Sequence, residues 1–537
     1  MTSTPSYPGV HLREASSGSQ TIAGASTSVA AFVGWLPRGP LEDPQRVDSF
    51  EEFERRFGGL HPNCDVAYSV QQFFLNGGSE AWIVRIDSGE TEAKLTVSST
   101  SDGDDYNFEA TSPGTWGDDI ELAVYESSES DRFHLVVGQS DQTETYFQSG
   151  NQHERPAALE THKNLSYDSS DERFFAEVLE DDSSLIRSDN PDGDFKSLPD
   201  NSGEKLGDRT KSHFTNFGTG GTTGDDGQMP RTSSFNDSSY TNALTGSGGK
   251  TGLYALEDIG PYDFNILVLP DVWNLAKTQH KLAYSKAAVF CEEQDAFLVE
   301  ATWKDTDTPT KMETWMSSVD RFKNAAVYYP NVEVPDPLDG YKPREIGAGG
   351  TIAGLYARTD ASRGIWKAPA GTAATLRGAD PAVNVKDPEN GNLNELGCNV
   401  LRTFAGYGSV SWGARTLVGQ DNSPKPDHKY VPVRRLTLYI KQSLQDGMKW
   451  VVFEPNGHKL WAQIRLTVNA FMDRLYRQGA FMGKSADQAY QVKCDSSTTT
   501  QDDINRGIVN IVVKFAPINP AEFVVITIQQ MAGRGGS

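Results

Sequence analysis

Cysteine, histidine and long apolar runs are all scarce in this chain, and each shortage removes a class of explanation. The 537 residues include four cysteines and nine histidines. Cys64, Cys291, Cys398 and Cys494 lie far apart and form no CxxC or Cys/His pair, which points to reduced thiols rather than a disulfide framework or zinc site. The histidines never stand together at ligand spacing, so no metal is expected. No apolar run reaches about 18 residues, so nothing reads as a membrane-spanning helix. The opening MTSTPSYPGVHLRE has neither the basic nor the apolar region of a secretory signal. Basic residues are also outnumbered, 49 Lys and Arg against 73 Asp and Glu. So acidic a chain argues against direct binding of free nucleic acid.

What is present supports folded, multidomain architecture. An apolar content of 37%, with 10% aromatics, is enough to bury real cores. A chain this long exceeds one compact core, so two to four domains are expected. The charge is unevenly placed. Residues 87–245 carry 33 acidic against 11 basic side chains, whereas residues 400–537 carry 10 against 17. One internal segment therefore holds nearly all of the net charge of −24. That contrast suggests a solvated outer part and a part that faces something acidic.

Patterning divides the chain in the same places. SFEEFERRFGG reads as a helix with Ser49 as N-cap, Glu52 at the capping-box position and Gly58-Gly59 as its stop. Phe50, Phe53 and Phe57 fall on one face of it. A second helix is predicted over Val66 to Phe74, then the strand AWIVRI. Between 87 and 245 the apolar runs shorten, leaving strands such as IELAVY (120–125) and FHLVV (133–137). Helix and strand alternation resumes with FNILVLP, a helix over about 274–293, AFLVEA, another helix to about 323, and AAVYYP. Near the C-terminus, Val433, Leu436, Ile440 and Leu444 share one helical face. Trp461, Ile464, Val468, Phe471 and Leu475 share another, with Lys459 and Arg477 on its far side and Arg474 nearer the flank. IVNIVVKF then alternates, with Val509, Ile511, Val513 and Phe515 on one side. FVVITIQQ follows two prolines, as the edge of its own sheet or the added strand of another chain's.

Chemistry-bearing motifs fail on inspection. GSGGKT (246–251) lacks the first glycine of a phosphate loop, Leu244 standing there, and no apolar strand precedes it. GSVSWG (408–413) has Ser409 where a nucleophile elbow around Ser411 needs glycine. DGDFKSLPDNSGE (192–204) puts Lys196 where a calcium loop needs an oxygen ligand. No catalytic, metal or cofactor site is therefore expected, and the chain is not read as an enzyme. A P-loop NTPase would need the complete loop, and a surface adhesin would need a signal or anchor.

Eight blocks, in order, resemble the contractile tail sheath proteins of phage tails and related injection systems. They include YPGVHLRE, TIAGASTSVAAFVGWLPRGP, SFEEFERRFGG, AYSVQQFFLNGGSEAWIVRI and SPGTWGDDI. LNELGCNVLRTFAGYGSVSWGARTL, VRRLTLYIKQSLQDGMKWVVFEPN and PAEFVVITI complete the series, and residues 187–250 depart from it. The resemblance implies an α/β (α+β) multidomain tail-sheath fold. Its expected divisions are an N-terminal arm (1–20), a discontinuous middle domain (21–86 and 251–400) and an acidic β-rich outer insertion (87–250). An inner domain (401–518) and a C-terminal arm (519–537) complete it. The arms are expected to exchange strands with neighbouring copies through Tyr7, Val10, Leu12 and Glu14, and through Phe523, Val525, Ile526 and Ile528. Lys459, Arg474 and Arg477 are expected to face an inner tube.

The implied function is that of a structural subunit in stacked six-fold rings, contracting from a metastable state to drive the tube through an envelope. The implied partners are further copies of the chain in a helical sheath, an inner tail-tube protein, and baseplate and tail-terminator proteins. Neither membrane insertion nor direct nucleic-acid contact is implied. Such a chain would be made in a prokaryotic cytoplasm and carried in a virion tail or an injection particle.

Overall fold

The computed structural model describes residues 21–99, 105–129, 131–148, 151–189, 195, 197–200, 206, 214–246, 249–259, 263–422 and 426–523. Along them run β1 (Ala30–Gly34), β2 (Gln45–Val47), α1 (Phe50–Phe57), α2 (Asp65–Asn76) and β3 (Ala81–Arg85). Next come β4 (Lys94–Val97), β5 (Tyr106–Ala110), β6 (Ile120–Glu126), β7 (Arg132–Gln139), β8 (Thr143–Gln148) and β9 (Asn151–Pro156). β10 (Glu160–Ser166), α3 (Phe175–Asp182), β11 (Ile186–Ser188), β12 (Thr215–Asn216), α4 (Phe217–Gly220) and α5 (Asp237–Leu244) follow. Then β13 (Ile266–Val268), α6 (Lys277–Glu293), β14 (Phe297–Ala301), α7 (Pro309–Met316), β15 (Ala325–Tyr329), β16 (Val332–Asp336) and β17 (Lys342–Ile346). α8 (Gly349–Arg363), β18 (Asp380–Pro381), α9 (Asp387–Glu395), β19 (Asn399–Phe404) and β20 (Gly408–Ser411) lead to the C-terminal elements. These are α10 (Val431–Gly447), α11 (His458–Arg477), α12 (Ala486–Ala489), β21 (Tyr490–Lys493), α13 (Gln501–Asn505) and β22 (Val512–Phe515).

Two compact units result. The larger comprises Ser28–Ser362 and Pro369–Val431; the smaller takes residues 21–27, Arg363–Ala368 and 432–523. Residues 401–431, grouped by the sequence with the C-terminal helices, lie in the larger unit.

The larger unit is organised by an eight-stranded sheet in the order β2-β3-β1-β13-β14-β15-β19-β20. Its six inner strands are parallel, with β2 and β20 antiparallel at the edges. β1, β14 and β15 are buried along their whole length, as a parallel sheet covered on both faces requires. β1 lies between β3, which precedes residues 87–250, and β13, which follows them. The two halves of the sheet are therefore sutured at β1. Helices α2 and α8 meet at small residues: a Cβ on Gly350 would stand 2.2 Å from the Ser69 carbonyl oxygen.

The intervening segment carries its own core. β10-β7-β6-β12 form one sheet and β11-β5-β4 another. Between them Tyr106, Phe133, Phe175 and Phe195 cluster, with Tyr106 and Phe195 stacked at 4.5 Å. Its return limb is fastened by a buried ion pair. Arg231 Nε donates to both oxygens of the fully buried Asp65 at 2.9 and 3.0 Å. Arg344, Trp273 Nε1 and Asn274 also donate to that carboxylate, which satisfies a charge that burial alone would make costly.

Candidate assembly surface

The smaller unit rests on two amphipathic helices. α10 buries Leu436 and Ile440, with Leu444 partly covered. α11 buries Leu460, Trp461, Ile464, Val468, Phe471, Met472 and Leu475 against the same core. The opposite stripe of α11 carries exposed Lys459, Leu466 and Arg477. Leu466 is 65% exposed, an apolar side chain set among the basic ones.

A hairpin sheet covers the other side of this core. β21 and β22 pair antiparallel, with Tyr490 opposite Phe515 and Val492 opposite Val513. The inward set Tyr490, Val492, Val513 and Phe515 packs on the helices, continued by Val509 and Ile511. The alternation seen in the sequence is thus real, although the ladder runs only over Val512–Phe515. Among the described residues the sheet has two strands, and no strand pairs with either outer edge. An unpaired edge is a row of donors and acceptors available to another strand.

Residues 21–27 are clamped to the helices. Ile22 is buried in the helix core, close enough to Gly447 that a Cβ there would lie 2.7 Å away. Arg474 Nη2 donates to the Ile22 carbonyl at 3.0 Å, and Arg435 Nη2 to that of Thr27 at 2.7 Å. The Ala25 N–H donates to Ser443 Oγ at 2.9 Å. Tyr439 packs on Gly24, so that a Cβ there would meet its hydroxyl and displace it. Burial pushes the Tyr439 hydroxyl pKa up, opposed by the nearby Arg474 charge.

The sequence-assigned residues separate into three groups. Tyr7, Val10, Leu12, Glu14, Val525, Ile526 and Ile528 lie outside the described residues. Phe523 is exposed at the end of the described chain. Of the basic trio, Lys459 opens α11, Arg477 pairs with Asp473 at 2.8 Å, and Arg474 turns to Ile22 and the Phe471 ring. The anchor made by Ile22, Arg435 and Ser443 is absent from the sequence reading, because TIAGAST has no periodicity to mark it. Val452 and the fully exposed Phe453, the latter at φ +68°, form an apolar tip between α10 and α11.

Comparison with known proteins gives this geometry its context. Residues 423–531 match the family described as the phage tail sheath C-terminal domain. A tail sheath protein of Vibrio phage KVP40 is 24% identical over 228 residues, 42% of this chain and 32% of that protein. A putative prophage major tail sheath protein of Pseudomonas aeruginosa (strain UCBPP-PA14) is 26% identical over 201 residues, 36% of this chain and 48% of that one. The matched regions thus span about a third to a half of the length of these relatives. The sheath of an extracellular contractile injection system, the PVC sheath complex in its contracted state, superposes with a TM-score of 0.57. That match is 19% identical and covers 98% of this chain and 99% of the other. The fold is therefore the mixed α/β fold of contractile sheaths. Residues 423–531 thus match the tail sheath C-terminal domain by sequence, within a chain whose fold is that of the sheath structures.

Proposed function

We propose that this chain is the structural subunit of a contractile sheath. It polymerises as stacked six-fold rings around an inner tube and contracts from a metastable extended state. The observation that carries this reading is the sheet β21–β22, which among the described residues has two strands and no partner on either outer edge, in the unit that also holds residues 21–27. Segments around 7–14 and 523–528 of neighbouring copies complete that sheet. A contact between unlike surfaces that does not close on itself generates an open helical polymer.

Backbone pairing of this kind persists while the rigid units swing about it. Contraction then needs no nucleotide: the work is stored as interface not yet made. An extra ~400 Å² of apolar burial per subunit supplies roughly 10 kcal/mol before ordering costs are subtracted. The basic far side of α11, Lys459 and Arg477 with Arg474 at the flank, faces the inner tube. Baseplate and terminator proteins cap the two ends. The particle is a virion tail or an injection system, assembled in a prokaryotic cytoplasm.

Negative-stain microscopy of the purified chain tests this directly. Hollow striated cylinders are expected. Removal of residues 1–14 or 519–537 is expected to leave folded monomers, and normal cylinders from either truncation would refute the arm assignment.

A further inference from the structure

A cavity in the larger unit gathers polar groups that the surrounding protein leaves unpaired. It lies between α6, β14 and α7, with His280, Tyr284, Glu300 and Trp315 as its inner wall and Ser285 and Asp320 at its mouth. His280 is fully buried, and Glu300 and Trp315 are each 2% exposed. Among the described residues, neither imidazole nitrogen of His280 has a hydrogen-bond partner. Nor does Glu300 Oε2 or Trp315 Nε1. The backbone of Ala301 lies near the imidazole but outside hydrogen-bond geometry.

The charged groups nearby are committed elsewhere, and the Tyr284 oxygen already accepts one bond. Arg321, whose charge acts on Glu300, donates to the carbonyls of Met316, Leu396 and Leu417 at 2.6, 2.8 and 3.1 Å. The Tyr284 hydroxyl accepts the Ala301 N–H at 3.0 Å. Over the mouth, Lys281 Nζ donates to Ser318 O and Oγ at 2.9 and 2.7 Å. Ser285 Oγ donates to Asp320 Oδ2 at 2.7 Å. Those bonds hold the segment 318–320 down on α6.

Three residues that line one space hold four buried polar atoms without partners, which is costly unless a guest pairs with those that face it. The space offers about 10 Å³ to the centre of a water molecule, close to the minimum for one water and too small for larger guests. Indole nitrogen only donates, neutral imidazole both donates and accepts, and a carboxyl oxygen accepts. One water can accept from the first and donate to the other two. Burial pushes Glu300 up to about 8 and His280 down to about 3, so both are uncharged near neutrality. A neutral guest suits such a site better than an ion.

We propose that His280, Glu300 and Trp315 form a binding site for a single internal water, closed over by residues 318–320. The test is a structure of the full chain, soluble or assembled, at a resolution that shows ordered solvent. One peak within hydrogen-bond distance of Trp315 Nε1, Glu300 Oε2 and a His280 nitrogen is expected. A dry cavity, or direct bonds among the three side chains, would overturn the proposal. Trp315→Phe gives a second readout. The smaller ring costs packing in either case, but loss of a water partner adds to that cost, whereas removal of an unpaired donor from a dry cavity offsets it. A raised Tm therefore contradicts the proposal, and Glu300→Gln, which keeps both polar positions, is expected to retain the peak.

Discussion

Arg474 Nη2 donates to the Ile22 carbonyl at 3.0 Å, joining residues 452 positions apart. The same Ile22 puts its side chain into the helix core, so one residue is held at backbone and side chain together. Whatever residues 1–20 do, they leave from a fixed point.

That anchor has measurable worth. Arg474→Ala removes one charge-assisted bond on a mostly exposed side chain and is expected to cost about 1 kcal/mol. Ile22→Asp puts an unpaired carboxylate in an apolar core and is expected to cost 3 kcal/mol or more, by rough analogy with other buried polar insertions. Denaturant melts of the monomer read both. Equal and negligible shifts would show that residues 21–27 are not bound as described.

Charge reversal on α11 separates tube contact from folding. Lys459→Glu with Arg477→Glu alters exposed groups, so monomer stability is expected to move by no more than about 0.5 kcal/mol. Sheath growth on inner tubes is expected to stop. Unaltered growth, read by electron microscopy with tubes present, would reject the tube-facing assignment.

The Asp65 network predicts a large loss from a small change. Asp65→Asn leaves Arg231 partly buried without its anion and Arg344 with Asp336 as its remaining carboxylate. Breaking a buried pair of this kind typically costs about 3–5 kcal/mol. Proteolysis near residue 231 is expected to accelerate in the variant. A melt within 1 kcal/mol of wild type, on the order of a surface change, would show the pair to be dispensable.

Glu300 makes stability fall on the alkaline side. Burial raises its carboxyl from 4.5 to about 8, with Arg321 opposing, so the folded chain holds a proton that the unfolded chain releases. This contribution is fully present below 4.5 and is lost as pH rises to 8, at up to about 1.4 kcal/mol per pH unit. Asp271, raised from 3.8 to about 7 by burial and the Asp65 charge, adds to the same slope below 7. His280, lowered from 6.5 to about 3 by burial, acts oppositely: its contribution is present above 6.5 and lost towards 3. Glu300→Gln is therefore expected to flatten the decline between pH 5 and 8. An unchanged slope in melts across that range would contradict the burial argument.

Local signals in the sequence carried most of the architecture. Ser49 Oγ accepts the Glu52 N–H at 3.2 Å and Gly58 closes α1 in the left-handed region, as the motif predicts. Even there a detail shifts, for the Glu52 carboxylate takes the N–H of Asp48 rather than of Ser49. The helix read as running to about 323 ends at Met316, where Arg321 folds back onto that residue's carbonyl. What periodicity could not show is contact between distant polar residues. Asp65, Arg231 and Arg344, or His280, Glu300 and Trp315, look like unrelated surface candidates until the fold brings them together. The clamp on residues 21–27 was hidden for the same reason, since small residues leave no pattern.

Lending of strands between copies is tested most directly by a cryo-EM map of the polymer that resolves the β21–β22 sheet. The expected map shows the 7–14 and 523–528 segments of adjacent subunits hydrogen-bonded along its two outer edges. A map in which both ends of each chain fold back onto their own subunit, with those edges bare, would contradict it.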